Sequence, residues 1–180
     1  MRRLLVLATF GATLVVSTGA MAADLIGYST STDKSLPVTT ASPGYDWSGF
    51  YAGVFGAYQK SAASGDALGG GVDLGVNTTF NFVLAGAEVA VVGLDNGAGA
   101  TPYVQGIGRA GVLLTDNLVA YGAAGFGLDP NAGAGDVLAG GGLEYAVTDA
   151  LSLRAQYLHG FPTSGSDAKD QFTLGAQFHF

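Results

Sequence analysis

Glu144 and Arg154 stand on either side of Thr148-Asp149 in the stretch "GGGLEYAVTDALSLRAQYL". Opposite charges placed symmetrically about a turn face each other across a hairpin. Three further charges, Asp73, Glu88 and Arg109, fall where apolar residues alternate with Gly, Gln and acids. Carboxylates with guanidinium neighbours are held ionised, which suits an ion-pair network better than proton transfer. Catalytic groupings are weaker. After His159 no serine follows at the next same-face position, and His179 is one residue from the C-terminus. A Ser–His–acid relay is therefore not expected, and no enzyme is expected. "GIGRAG", Gly106 to Gly111, matches GxGxxG but precedes no helix, so no dinucleotide or other cofactor is implied. Asp129 and Asp136 in "DPNAGAGD" lack a bidentate Glu and EF-hand spacing, so a solvated loop is expected there and no metal site. Asn77-Thr78-Thr79 matches a glycosylation sequon but is expected in a turn.

The elements that position these charges follow from composition and periodicity. The 180 residues include 30 glycines and no cysteine; 48% are hydrophobic and only 12% charged. That charged share is about half of what soluble domains carry. No apolar run outside the N-terminus reaches the roughly 18 residues of a membrane helix. The formal net charge of −7, with no Lys/Arg cluster, argues against nucleic acid as a partner. Without cysteine there are no disulfides and no thiol chemistry.

Arg2 and Arg3 precede an apolar stretch, Leu4 to Val16, and then Ala20-Met21-Ala22. A basic start, a short apolar run and a small-x-small site describe a secretory signal peptide. Residues 1–22 are expected to be removed after Ala22, with Ala23 the alternative. Residues 23–46, rich in Ser, Thr and Pro, read as a flexible linker. The folded domain is expected over 47–180.

From Trp47 onward the apolar period is 2. Eight alternating stretches run from "WSGFYAGVFGAY" to the terminal "FTLGAQFHF". Short connections are expected at Thr78-Thr79-Phe80, Thr115-Asp116-Asn117 and Thr148-Asp149. Longer ones are expected at "QKSAASGDA", "LDNGAGAT", "LDPNAGAGD" and "GFPTSGSDAKD". Alternating short turns and long loops predict an all-β fold: an eight-stranded antiparallel up-and-down transmembrane β-barrel. Phe172, Leu174, Ala176, Phe178 and Phe180 then face lipid on the last strand, which must pair with the first. The opposite face holds Asp73, Glu88, Arg109, Glu144, Arg154 and Gln156, with Gln105, Gln177 and Tyr121, in the lumen. Val112 is expected on the lipid face near the midplane, where an arginine would cost about 2–4 kcal/mol.

"DWSGFYAGVFGAY", "NFVLAGAEV", "GGGLEYAVTDALSLRAQYLHGF" and "FTLGAQFHF" resemble the small outer-membrane immunogenic-protein family, eight-stranded relatives of the opacity proteins and of the transmembrane domain of outer membrane protein A. The resemblance spans about residues 46–180 and implies a Gram-negative outer-membrane location. It also implies that the terminal Phe180 and the alternation before it are read by the barrel-insertion machinery. Ala90 and Gln156 stand where relatives would carry acids, so a less charged interior is expected.

An eight-stranded barrel is just wide enough to be filled by its own side chains. The expected lumen is therefore a plug of paired charges. The expected role is structural, supporting envelope integrity and surface display in contact with membrane lipid and lipopolysaccharide. The alternatives are a narrow porin passing small solutes and an adhesin meeting host surface molecules through its loops.

Overall fold

Strict alternation commits each stretch to a strand with one apolar and one polar or small face. A computed structural model describes residues 44–61, 65–97, 99–131, 133–164 and 167–180. The expected signal segment 1–22 and residues 23–43 of the expected linker lie outside the described residues. The strands are β1 (Gly49–Ser61), β2 (Gly65–Phe80), β3 (Val83–Asp95), β4 (Ala100–Thr115), β5 (Leu118–Asp129), β6 (Ala134–Ala146), β7 (Leu151–Ser164) and β8 (Lys169–His179). Each pairs antiparallel with the next, and β8 closes onto β1 to complete the barrel.

The outer wall is apolar. Phe50, Val54, Leu74, Val89, Phe126 and Leu174 are all exposed there, although their types favour burial. Tyr145, Phe178 and Phe180 stand toward the end bearing the termini, and Tyr58, Tyr157 and Phe172 toward the other. Such a wall is stable only against lipid. Apart from the 11-residue β8, the strands run from 12 to 16 residues and exceed the roughly 9–11 that a bilayer needs, so they project beyond it.

That projection corrects several expected loops. Gln59–Ser61, Gly65–Ala67, Gly160–Ser164, Lys169 and Asp170 are strand residues, although all had read as connections. Above the lipid the outward residues become polar and the period-2 signal fades, while the backbone ladder continues. Asp136 is likewise not in a solvated loop. It lies within β6 and is buried. The turn expected at Thr78-Thr79-Phe80 sits at Asn81-Phe82, with Asn81 at φ 55°. Asn tolerates the left-handed conformation that a two-residue hairpin turn requires. Asn77 and its neighbours are therefore in β2, and Asn77 is buried. Val112 pairs with Val83, the first residue of β3, so it lies near the turn end of the wall rather than at its middle.

Residues 44–48 precede β1 and fold beneath the barrel. Trp47 is 1% exposed and belongs to one buried cluster with Leu84, Val119 and Ala146. Its Nε1 donates to the Asp116 carbonyl at 3.1 Å. Tyr45 meets Trp47 edge-on at 4.5 Å and His179 at 5.2 Å. The C-terminus is secured too, since Phe180 N donates to the Phe50 carbonyl at 3.0 Å and His179 N to that of Ala150 at 2.8 Å.

Candidate functional site: the charged lumen

Because β-strand side chains alternate, every second residue of eight strands meets on the barrel axis. The structure places Asp73, Glu88, Arg109, Glu144, Arg154 and Gln156 there, all buried, together with Gln105, Gln177 and Tyr121. Glu144 and Arg154 are register partners. Arg154 Nε donates to Glu144 Oε2 at 3.2 Å, and Arg109 Nη1 donates to the same oxygen at 2.8 Å. Arg154 Nη1 also reaches across the lumen to Glu88, on the far wall, and lies 3.8 Å from Asp73 Oδ2. Two guanidiniums thus bridge three carboxylates on β2, β3 and β6. Sequence proximity pairs Arg109 with Glu88 one strand away, but the ion pair to Glu88 comes from Arg154. Arg109 turns instead to Glu144 and to Asn77, donating from Nε to Asn77 Oδ1 at 2.9 Å.

Neutral groups complete this layer. Tyr51 donates to Glu88 Oε2 at 2.6 Å, and Gln177 Nε2 donates to Asp73 Oδ2 at 3.2 Å. Tyr121 donates to Gln156 Oε1 at 2.8 Å. The Tyr51 ring lies beneath both guanidiniums, at 4.7 Å from Arg109 and 5.0 Å from Arg154, and stacks on His179 at 5.3 Å. Gly75 makes that ring position possible, because a Cβ there would stand 2.2 Å from the Tyr51 hydroxyl. Gly127 gives Tyr103 the same clearance nearer the loop end. Tyr51, Asn77, Tyr103, Ser152 and His179 were not singled out from the sequence as lumen groups. The signal available was an inward Tyr on one strand matched by an inward Gly on its neighbour.

Ser152, His179 and Glu144 converge at the termini end, and these are the residue types of a nucleophilic relay. Their geometry is different. Ser152 Oγ donates to Glu144 Oε1 at 2.6 Å, and His179 Nε2 lies 3.1 Å from that same oxygen and 3.3 Å from Ser152 Oγ. Both partners therefore meet one ring nitrogen, whereas a relay sets acid and nucleophile on opposite nitrogens. Ser152 is also fully buried. The other histidine, His159, is on the outer wall, with Nδ1 2.7 Å from Asp170 Oδ1, which also accepts from Tyr157 at 2.6 Å.

The space left in this layer is small. The void between Asp73, Glu88, Gln105 and Arg154 measures about 10 Å³, room for a single water. On β8, Phe172, Leu174 and Phe178 are exposed on the lipid side, as is Phe180 just after it, with Ala176 partly so.

An apolar wall around a closed antiparallel barrel with a charged interior defines an eight-stranded β-barrel of the outer-membrane type, as the resemblance implied. The comparisons agree at the level of fold. Neisserial surface protein A shares 18% identity at TM-score 0.51, the match covering 74% of this chain and 98% of that one. Ail, the attachment invasion locus protein of Yersinia pestis, shares 14% identity at TM-score 0.52, covering 74% and 97%. No family model and no curated protein sequence matches the chain.

Proposed function

We propose that the protein is a structural barrel of the Gram-negative outer membrane, with its long-loop end outward, supporting envelope integrity and surface display. The observation that carries this reading is the layer in which Arg109 and Arg154 join Asp73, Glu88 and Glu144, leaving about 10 Å³ of free space. A hydrated ion does not fit there. Loosening the layer would strand buried charge, at about 3–5 kcal/mol per broken pair. In this reading Phe172, Leu174, Ala176, Phe178 and Phe180 serve as lipid face and insertion signal, and the working partners are outer-leaflet lipid, lipopolysaccharide and the insertion machinery. No catalytic step is assigned to the lumen.

Single-channel conductance of the refolded protein in a planar bilayer tests this, after a heat-shift gel verifies folding. Silence is expected. Steady ion-selective steps would favour the narrow-porin reading and make Arg109 and Arg154 its filter. Adhesion is the weaker alternative. The Ail structure contains a heparin analogue, sucrose octasulfate, and a polyanion of that kind needs a cationic surface. Among the described residues the loop end offers Lys169, already paired with Asp136 at 2.7 Å, and Lys60, flanked in register by Asp66 and Asp170.

A further inference from the structure

Above the charged layer, at the end away from the termini, the lumen widens into an open cup of about 160 Å³. Ala67, Leu94 and Tyr103, all buried, line it and belong to one apolar cluster. Gln59, Thr101, Asp129 and Lys169 bring polar groups to it. Neither the plug nor the lipid face uses this cup. We propose that it is a binding site for one neutral, hydroxylated six-membered ring, a sugar or cyclic polyol.

Three observations lead to that ligand. The first is size: a cavity of about 150 Å³ takes a single six-membered ring, and this cup opens outward, leaving room for ring substituents. The second is charge. Lys169 Nζ lies 2.7 Å from Asp136 Oδ2 and 4.4 Å over the Tyr103 ring, while Tyr103 donates to the same carboxylate oxygen at 2.6 Å. The ammonium is thus fixed in the lining and matched by Asp136, so the pair offers no free counter-charge to a ligand of either sign. A neutral ligand needs none. The third is hydrogen bonding. Gln59 lines the cup and its Oε1 is buried without a partner, so a turn of this side chain into the cup lets a ligand hydroxyl satisfy it. The Thr101 hydroxyl can donate as well as accept. A hydroxylated ring answers both roles and lays its C–H edges against Leu94 and Ala67. The site does not depend on whether the layer beneath it conducts.

The test is saturation-transfer NMR on the refolded protein in detergent micelles, using glucose, galactose, mannose, N-acetylglucosamine and myo-inositol. At least one should bind saturably with a dissociation constant of about 1–10 mM. Gln59→Leu should weaken it about fivefold. Ala67→Leu, which fills the floor, should abolish binding while the heat shift shows an intact barrel. Repeating the titration in micelles doped with lipopolysaccharide separates the two sources of such a ring. Competition by the glycolipid would name an outer-leaflet sugar, and its absence a free solute; the site stands in either case. Absence of binding by every sugar up to about 100 mM, a concentration far above the expected constants, overturns the proposal. So does binding that survives Ala67→Leu, or binding of ethanolamine or glucuronate in preference to the neutral rings.

Discussion

At the scale of single residues, position in the wall decides what a charge costs. Val89 is exposed at the middle of β3, while Val112 pairs with Val83 beside a turn. Val89→Arg should therefore destabilise the barrel by about 2–4 kcal/mol, and Val112→Arg by only about 0–1 kcal/mol near the interface. Urea unfolding in lipid vesicles measures both, and equal costs would contradict this placement of the membrane. Inside, the logic reverses. Arg154→Met strands Glu88 and Asp73 without their cation and should cost about 3–5 kcal/mol. Adding Glu88→Leu and Asp73→Leu should recover much of that loss, because the penalty lies in the uncompensated charge. A triple variant no more stable than the single one would show that the ion pairs stabilise the fold outright. The inward charges could be read from the sequence because Asp73, Glu88, Arg109, Glu144 and Arg154 each sit out of phase with an apolar face. Which arginine meets which acid could not, since Arg154 spans the lumen and neighbour order along the chain does not encode that reach.

Among elements, the strands were the legible part and their ends were not. Hydrophobic alternation exists only where one face meets lipid, so β1, β2, β7 and β8 read as ending where the bilayer ends. The backbone pairing of Lys60 with Asp66 and with Asp170 continues past it. The segment before β1 was legible only in part. Trp47 marks the domain start, but nothing periodic shows Tyr45 and Trp47 turning under the barrel to meet His179. That segment meets the charged layer through His179, whose Nε2 lies 3.1 Å from Glu144 Oε1. Trp47→Ala should lower stability by about 3 kcal/mol, read from the midpoint of the heat-shift gel. On the plug reading it should nevertheless leave the bilayer current silent, since Arg109 and Arg154 are untouched. Current through Trp47→Ala would make the aromatic segment the true seal. Within the sheet, Gly75→Val should displace Tyr51 from Glu88 and cost more than about 1 kcal/mol from overpacking. Gly56→Val, at a lipid-facing glycine whose added Cβ would meet nothing nearer than 3.9 Å, supplies the neutral control.

For the barrel as a whole, the polarity of a water-soluble protein is turned inside out. Within the spanning part its charges lie on the axis and its large apolar side chains on the surface. Both distributions follow from one alternating pattern wrapped into a cylinder. The sequence carries the pattern plainly, which is why the barrel could be anticipated without a family match. The cup at the loop end could not, because Gln59, Tyr103 and Lys169 come together only when strands distant in the chain close the ring.

The hydrogen bond from Phe180 to Phe50 carries a further consequence, for how the molecule comes into being. The strand that seals the barrel is the last of the eight in chain order, and its partner is the first. Until β8 arrives, β1 and β7 each present an open edge able to recruit other chains. Seven of the eight ladders join consecutive strands and only the β1–β8 ladder joins distant parts of the sequence, so closure carries the largest loop-closure cost. A chain shortened by even one strand has no smaller barrel to fall back on. Quality control can therefore be read from a single event, the meeting of the two ends, and a nascent or truncated copy announces itself by the edges it leaves bare.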